Sequence, residues 1–468
     1  MVQKADILIK NASWLVTVDP SRRIIKQGAI AIKGNKIAEL GKSSLLTKKY
    51  QAQTVIDARD KLVMPGLIDG HAHNAQQLAR GLADDVTLSQ WLFERIYPYE
   101  AAMTEEEAYL SALCCQLEMI KAGSTCYIDP GSPFTDETAR ATEVSGMRGI
   151  ITRSTCDVLT SAMGSMPKKR FQETTQQSLR RAEATVKKWD RAFGGRLKAW
   201  FSLRVLSICS DQLCLGINRL AKKYRVGVQS HAAGSPSSTF HSLDRYGARD
   251  VERLGKLGVL GPNWFLIHMG WVSPQELLLL KEKDVKVVHC PSASFHLASG
   301  RISHGRFPEM LEMGMAVCLG SDAAADGNYM DIVRVMSIAG GAYKDNRLDP
   351  KIMPPETVIE MATINGARAA LWENEIGSLE KGKKADIVLF DTNRPEWRPV
   401  HNPIANLVYC ANGSSADTVI VDGKILMQGR KVLTLDEEKL LKQAQKAGER
   451  IAKAAKLTKL VQPRWPMV

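Results

Sequence analysis

Two histidines flank a single alanine in VMPGLIDGHAHNAQQLARGLADD, residues 63–85. On an extended strand, residues i and i+2 point to the same face, so His71 and His73 can present two imidazoles to one metal ion. Further polar residues stand at the ends of apolar runs: His231 after VGVQS, His268 after WFLI, His289 after VKVV and Asp322 after MAVCLGS. A third imidazole from His231 and a carboxylate from Asp322 complete a nitrogen and oxygen set suited to Zn²⁺, Co²⁺, Fe²⁺ or Mn²⁺. One such divalent ion lowers the pKa of water toward neutrality and so supplies a hydroxide nucleophile. The remaining histidines, His241, His296, His304 and His401, have no strand-end setting.

Residues so far apart in sequence need a scaffold that gathers strand ends. Residues 1–63 alternate short β-rich segments with turns, and Gly34-Asn35 between two alternating runs signals a hairpin. From 64 to 375, apolar strand-like runs alternate with amphipathic helical stretches such as EEEAYLSALCCQLEMIKAG. That alternation predicts parallel strands with crossover helices, an α/β barrel or a doubly wound sheet. Residues 376–433 return to short strands, which predicts that both chain ends pair into one small β-domain; a basic amphipathic helix and tail follow over 434–468. In a parallel barrel the strand ends converge on one mouth, where catalytic groups sit.

Composition narrows the class. The chain of 468 residues is 44% hydrophobic and 24% charged, as ordinary globular proteins are. It has no run of eighteen apolar residues, and its first residues are too broken by Lys4, Asp6 and Lys10 for a signal peptide. A cytoplasmic enzyme with a small-molecule substrate is expected, without membrane partners. The net charge of +13 is spread over clusters at Lys168–Arg170, Arg180–Lys188 and Lys439–Lys459, with no interleaved aromatics. These read as solvated helix faces, so no nucleic-acid partner is expected. Nine cysteines form no CxxC pair and read as reduced, buried thiols.

The first-strand segment PGLIDGHAHNAQQLARGLADDVTLSQWLFERIYPYE resembles a signature of the amidohydrolase superfamily, especially its branch of S-adenosylhomocysteine deaminases and triazine hydrolases. AGSTCYID, VVHCPSASFHLASG, CLGSDAAADGNYMD, MATINGARAALW and IGSLEKGKKADIVLFD are similar to that branch's later signatures, in the same order. The resemblance implies a distorted (β/α)8 TIM barrel with a flanking β-sandwich, a hydrolytic mononuclear metal centre and a homodimer or higher homo-oligomer. It implies His71, His73, His231 and Asp322 as metal ligands and His268 as the residue that orients the water. No lysine ends the fourth-strand run LKAWFSLRVL, so a single metal is expected rather than a pair bridged by a carbamylated lysine.

The departures bear on substrate. Deaminases of that branch carry His-x-x-Glu after the fifth strand, and the glutamate shuttles protons; here the segment reads SHAAGSP, with Gly234 in its place. Arg204 replaces a substrate-contacting histidine and His296 a lysine. Arg204, His296 and Trp91, from the helix after the first strand, are therefore the expected pocket residues. Without the glutamate, attack on a carbonyl suffers less than ring deamination. The expected reaction is cleavage of an amide, urea or (thio)carbamate C–N or C–S bond in a small, mostly apolar compound, such as a herbicide. His268 would place the water and Asp322 would take its proton. The alternatives are an aminohydrolase or chlorohydrolase of a nucleobase, pterin or triazine ring, which needs another carboxylate, and a non-enzymatic scaffold on a hydrolase fold.

Overall fold

The computed structural model describes residues 2–161, 164–461 and 465; residues 462–464 and 466–468 of the expected tail lie outside the described residues. Eight parallel strands form the central sheet: Leu67–Asp69, Ser124–Ile128, Arg148–Thr155, Leu197–Val205, Val228–Ala232, Trp264–His268, Lys286–His289 and Val317–Leu319. Each pairs with its sequence neighbour, as βαβ units require. Strands covered on both faces carry few polar residues: Ser124–Ile128 and Trp264–His268 are buried at every position, the first reading STCYI and the second WFLI before its terminal histidine.

The sheet comes nearly full circle. An isolated parallel bridge joins Ala72 to Asp322, where the Asp322 N–H donates to the His71 carbonyl at 2.8 Å. Just before it, the Gly70 N–H donates to the Leu319 carbonyl at 2.8 Å. Only glycine permits this approach, because a Cβ at Gly70 would lie 2.6 Å from Cys318 Sγ and 2.9 Å from the Leu319 oxygen. The seam between first and eighth strands therefore runs through the residues expected to do the chemistry.

The two chain ends meet in one nine-stranded mixed sheet. Strand Lys61–Pro65 from the first end pairs antiparallel with Ile387–Asp391 from the last. The long strand Gln3–Val16 pairs through residues 3–10 with Tyr50–Asp57 and through Trp14 and Leu15 with Lys61–Pro65. The hand-over falls at an irregularity beside Asn11, whose φ is +60°.

Barrel and sheet are tied by a buried ionic cluster. Arg148, the first residue of the third barrel strand, donates from Nε to Asp386 Oδ2 at 2.6 Å and from Nη2 to Asp386 Oδ1 at 3.0 Å and Asp422 Oδ1 at 3.1 Å. At the opposite, N-terminal side of the barrel from the strand ends, this cluster serves stability rather than chemistry. The helix Glu437–Ala454 lies against Glu105–Lys121, held by Lys121 on Glu437 at 2.8 Å and by Arg450 on Glu107. Eight of the nine cysteines are buried; Cys410 is exposed.

Candidate metal centre

His71 and His73 follow the first barrel strand, His231 lies in the fifth, His268 ends the sixth, and Asp322 follows the eighth. The structure brings these five together. The ring centroids of His71 lie 4.8 Å from His73, 5.0 Å from His231 and 5.6 Å from His268. Asp322 Oδ1 stands 3.2 Å from His71 Nε2 and 3.5 Å from His73 Nε2, and Asp322 Oδ2 stands 3.8 Å from His268 Nδ1. Backbone strain accompanies the convergence: His268, Met269 and Asp322 have φ of +77°, +47° and +71°, a region non-glycine residues enter at a cost.

Electrostatics match the geometry. Burial drives the His73 and His268 imidazoles well below the ordinary histidine range, with His71 adding to the first shift and the Arg301 cation to the second. Burial likewise brings His231 down to about 3. Burial alone would raise the Asp322 carboxyl, yet the surrounding histidines, His71 foremost, hold it well below the usual carboxylate range. Neutral imidazoles beside an ionised carboxylate are the protonation states that a cation binds.

The residues fit a divalent ion by a second criterion. Both ring nitrogens of His71, His268 Nδ1 and Asp322 Oδ2 are buried without a hydrogen-bond partner. Buried polar atoms are normally satisfied, and a cation would satisfy one ring nitrogen of His71 together with the Asp322 carboxylate. Donor atoms of His71, His231 and His268 all lie within 4.8 Å of one another. His231 Nδ1 faces the Arg204 carbonyl, which can only accept, so Nδ1 carries the hydrogen and Nε2 is left free for an ion. Cys290, which sequence reasoning missed, brings its thiol to the same spacing with His71 and Asp322, but burial pushes that thiol well up and keeps it protonated.

Asp69 locks the seam from behind. Its Oδ1 accepts the backbone N–H of His71 at 3.2 Å and of Ser321 at 3.0 Å. Asp129, at the end of the second strand, accepts the backbone N–H of Asn74 at 3.1 Å and of Gly131 at 2.6 Å.

A cavity opens over the histidines. Its apolar wall comes from one segment, with Leu88, Trp91, Leu92, Phe93, Ile96 and Tyr97 facing in. Trp91 is fixed by its Nε1–H donating to the Ala325 carbonyl at 2.9 Å. Arg204 also lines the cavity, but its Nη2 donates to Glu100 Oε2 at 2.7 Å and its guanidinium covers the rings of Tyr97 and Phe171. Its charge is thus already balanced, and it presents a polar surface rather than a free cation.

Two sequence readings fall away. His296 does not line the cavity: it ends the helix Pro291–His296 on the solvent side and is exposed, while the next residue, Leu297, faces in. His289 ends its strand but packs in the core, stacked on Phe307 with ring centroids 3.9 Å apart and 3.1 Å from the Tyr343 hydroxyl. Alternate strand positions face opposite ways, and His289 has the outward parity.

Gly234 lies beside His268, and a Cβ built there would stand 3.1 Å from His268 Cδ2. Gly234→Ala should therefore displace the His268 ring by a few tenths of an ångström and lower kcat about tenfold at unchanged metal content. Steady-state kinetics with metal analysis checks this, and full activity in the variant would show that His268 has slack.

Comparison with known proteins decides the family. The amidohydrolase family matches residues 62–426. The chain belongs to this family. This amidohydrolase is 36% identical over 447 residues to a 5'-deoxyadenosine deaminase of Methanosarcina mazei, covering 96% of this chain and 98% of that one. It is similar to an adenosine deaminase from Xanthomonas campestris solved with bound zinc, at 26% identity and TM-score 0.90, over 97% of this chain and 100% of the other. It shares its fold with the atrazine chlorohydrolase of Arthrobacter aurescens TC1 complexed with zinc, at 22% identity and TM-score 0.85, over 94% and 100% of the chains. As an amidohydrolase with such relatives it is a metal-dependent hydrolase, which leaves the scaffold alternative without support.

Proposed function

We propose that this amidohydrolase uses water to displace a substituent, an amine or a halide, from a ring carbon of a small nitrogen heterocycle of the aminopurine or triazine kind. The names of its relatives favour this over the amide, urea and thiocarbamate cleavage to which Gly234 pointed. The observation that carries the reading is Asp250.

Water adds readily to such a ring only if a ring nitrogen gains a proton, which an acid in the cavity must supply. Asp250 lines the same cavity as Gly234 and His268, and its Oδ2 accepts the Ala233 N–H at 2.7 Å, one residue before the missing glutamate. Burial raises its carboxyl to about 6, against the pull of that hydrogen bond, so it can give and take a proton near neutrality. Asp326 also lines the cavity, and burial and the Asp322 carboxylate push its carboxyl well up, but it is bonded into the turn after Asp322, whereas Asp250 is bonded to the residue next to Gly234. Asp250 is the carboxyl that takes over the proton transfer.

His71, His73, His231 and Asp322 would hold one divalent ion, with zinc the first choice because both similar solved proteins contain it. That ion would supply Lewis-acid activation of the attacking water. His268, kept neutral and 3.8 Å from Asp322 Oδ2, orients the water. The apolar wall around Trp91 excludes bulk water and holds the ring, while the Arg204–Glu100 pair meets its polar edge.

Asp250→Asn keeps a carbonyl oxygen for the Ala233 N–H but cannot donate a proton. The variant should retain metal and lose about 10²–10⁴-fold in kcat on ring substrates. Ammonia or halide release from aminopurine, pterin and triazine panels reads this out. Turnover confined to ureas, carbamates or thiocarbamates would overturn the reading.

A further inference from the structure

Arg301 is 1% exposed and lines the reaction cavity, although no sequence pattern singled it out. Its backbone and side chain occupy space that only Gly270 leaves: a Cβ there would fall 2.7 Å from Arg301 Cβ and Cγ. Its Nε donates to the Gly234 carbonyl at 2.9 Å, which aims the guanidinium across the glycine that stands where the glutamate is missing. Nη1 lies 3.9 Å from Asp322 Oδ2, beside the carboxylate oxygen that faces His268, and has no hydrogen-bond partner.

A guanidinium does not give up its proton in a protein, so this is a permanent cation on a cavity-lining residue, with a buried Nη1 that lacks a hydrogen-bond partner. The other cavity arginine, Arg204, is neutralised by Glu100; Arg301 makes no comparable hydrogen bond to a carboxylate among the described residues. An unsatisfied buried charged donor is costly unless a ligand completes it. A ligand that accepts a hydrogen bond and gains negative charge where its bond breaks would complete this donor, beyond the partial balance that Asp322 gives from 3.9 Å.

We infer that Arg301 Nη1 binds the departing group and selects for one that leaves as an anion, such as a halide, thiolate or alkoxide. This rests on the proposed ring displacement. The oxygen of water bonds to the ring carbon, the bond to the leaving group breaks with its electron pair, and the pair departs as the anion hydrogen-bonded to Nη1. The proton from water passes to the cavity carboxylates and on to solvent. An amine, by contrast, must take up a proton and pass through an ammonium-like state, which a fixed cation repels.

The test compares 6-chloro, 6-methylthio and 6-amino derivatives of one purine riboside, and the matching triazines, with the zinc-loaded protein. Wild-type kcat/KM should favour the chloro and methylthio compounds over the amino compound. Arg301→Met should shrink the chloro-to-amino ratio at least about tenfold, as expected for a lost hydrogen bond to a charged group; Arg301→Lys should restore part of it. The wild-type series needs no variant to fold, and zinc content is measured on every protein. Faster turnover of the amino compound by wild type, or an unchanged ratio in zinc-replete Arg301→Met, would overturn the inference and leave ring displacement standing. Failure of every ring substrate alongside cleavage of ureas would instead defeat the function on which it rests.

Discussion

Asp322→Ala should yield a folded protein that purifies without metal and turns over substrate at least about 10³-fold more slowly, a loss near 4 kcal/mol of transition-state stabilisation. Asp322 is the sole anionic side chain contacted by His71, His73 and His268 among the described residues, at 3.2, 3.5 and 3.8 Å. Removing it leaves His73, His231 and His268, which burial holds below the ordinary histidine range. It also takes the nearest carboxylate from the buried Arg301 guanidinium, 3.9 Å away, so a loss of stability should accompany the loss of metal while the fold is retained. The backbone bond from the Asp322 N–H to His71 does not depend on the side chain. Elemental analysis, circular dichroism and activity together read the outcome. Chelation of the wild type should mimic the variant and be reversed by added zinc. Stoichiometric metal in Asp322→Ala would remove Asp322 from the ligand set.

Asp386→Ala should destabilise the whole chain by about 3–5 kcal/mol, because it strands the buried Arg148 guanidinium. The pair is shielded from solvent on both sides, at 1% and 3% side-chain exposure, so water cannot screen the loss. Asp422 remains 3.1 Å from Nη2 and keeps the effect within that range. The double variant Arg148→Met, Asp386→Leu should recover most of the loss, since it removes the charge along with its partner. Urea unfolding of the three proteins measures this. A cost under about 1 kcal/mol for Asp386→Ala, the scale of an exposed pair, would show that the junction between barrel and mixed sheet is hydrated.

Much of the site was legible because the fold writes it in a simple pattern. A parallel strand buried on both faces reads as an apolar run, and a polar residue at its end lies at the barrel mouth; His231, His268 and Asp322 obeyed that rule. The HxH pair was expected on an extended strand, yet both histidines come just after the strand Leu67–Asp69, on either side of the Ala72 bridge that closes the ring. His289 has the same signature and breaks the rule, because strand parity cannot be counted from a run that is apolar on both faces. His296 sits on a helix whose exposed side depends on the barrel beneath it. Arg204 was legible as a charge in the pocket but not as a balanced one, since Glu100 comes from a helix over the mouth, 104 positions earlier. Asp250 and Arg301 left no trace in the pattern: each reaches the site by folding back from a loop or helix start onto the Ala233–Gly234 turn.

The seam has a consequence for how the protein assembles. The bridge between Ala72 and Asp322 joins residues 250 positions apart, so its closure carries a large loop entropy and belongs to the late events of folding. The candidate ligands straddle that same seam. An ion that binds only the closed ring favours closure by mass action, and its stabilisation grows with the logarithm of free metal. A cation held there would be a latch as well as a reagent, adding stability to a ring that also closes without it.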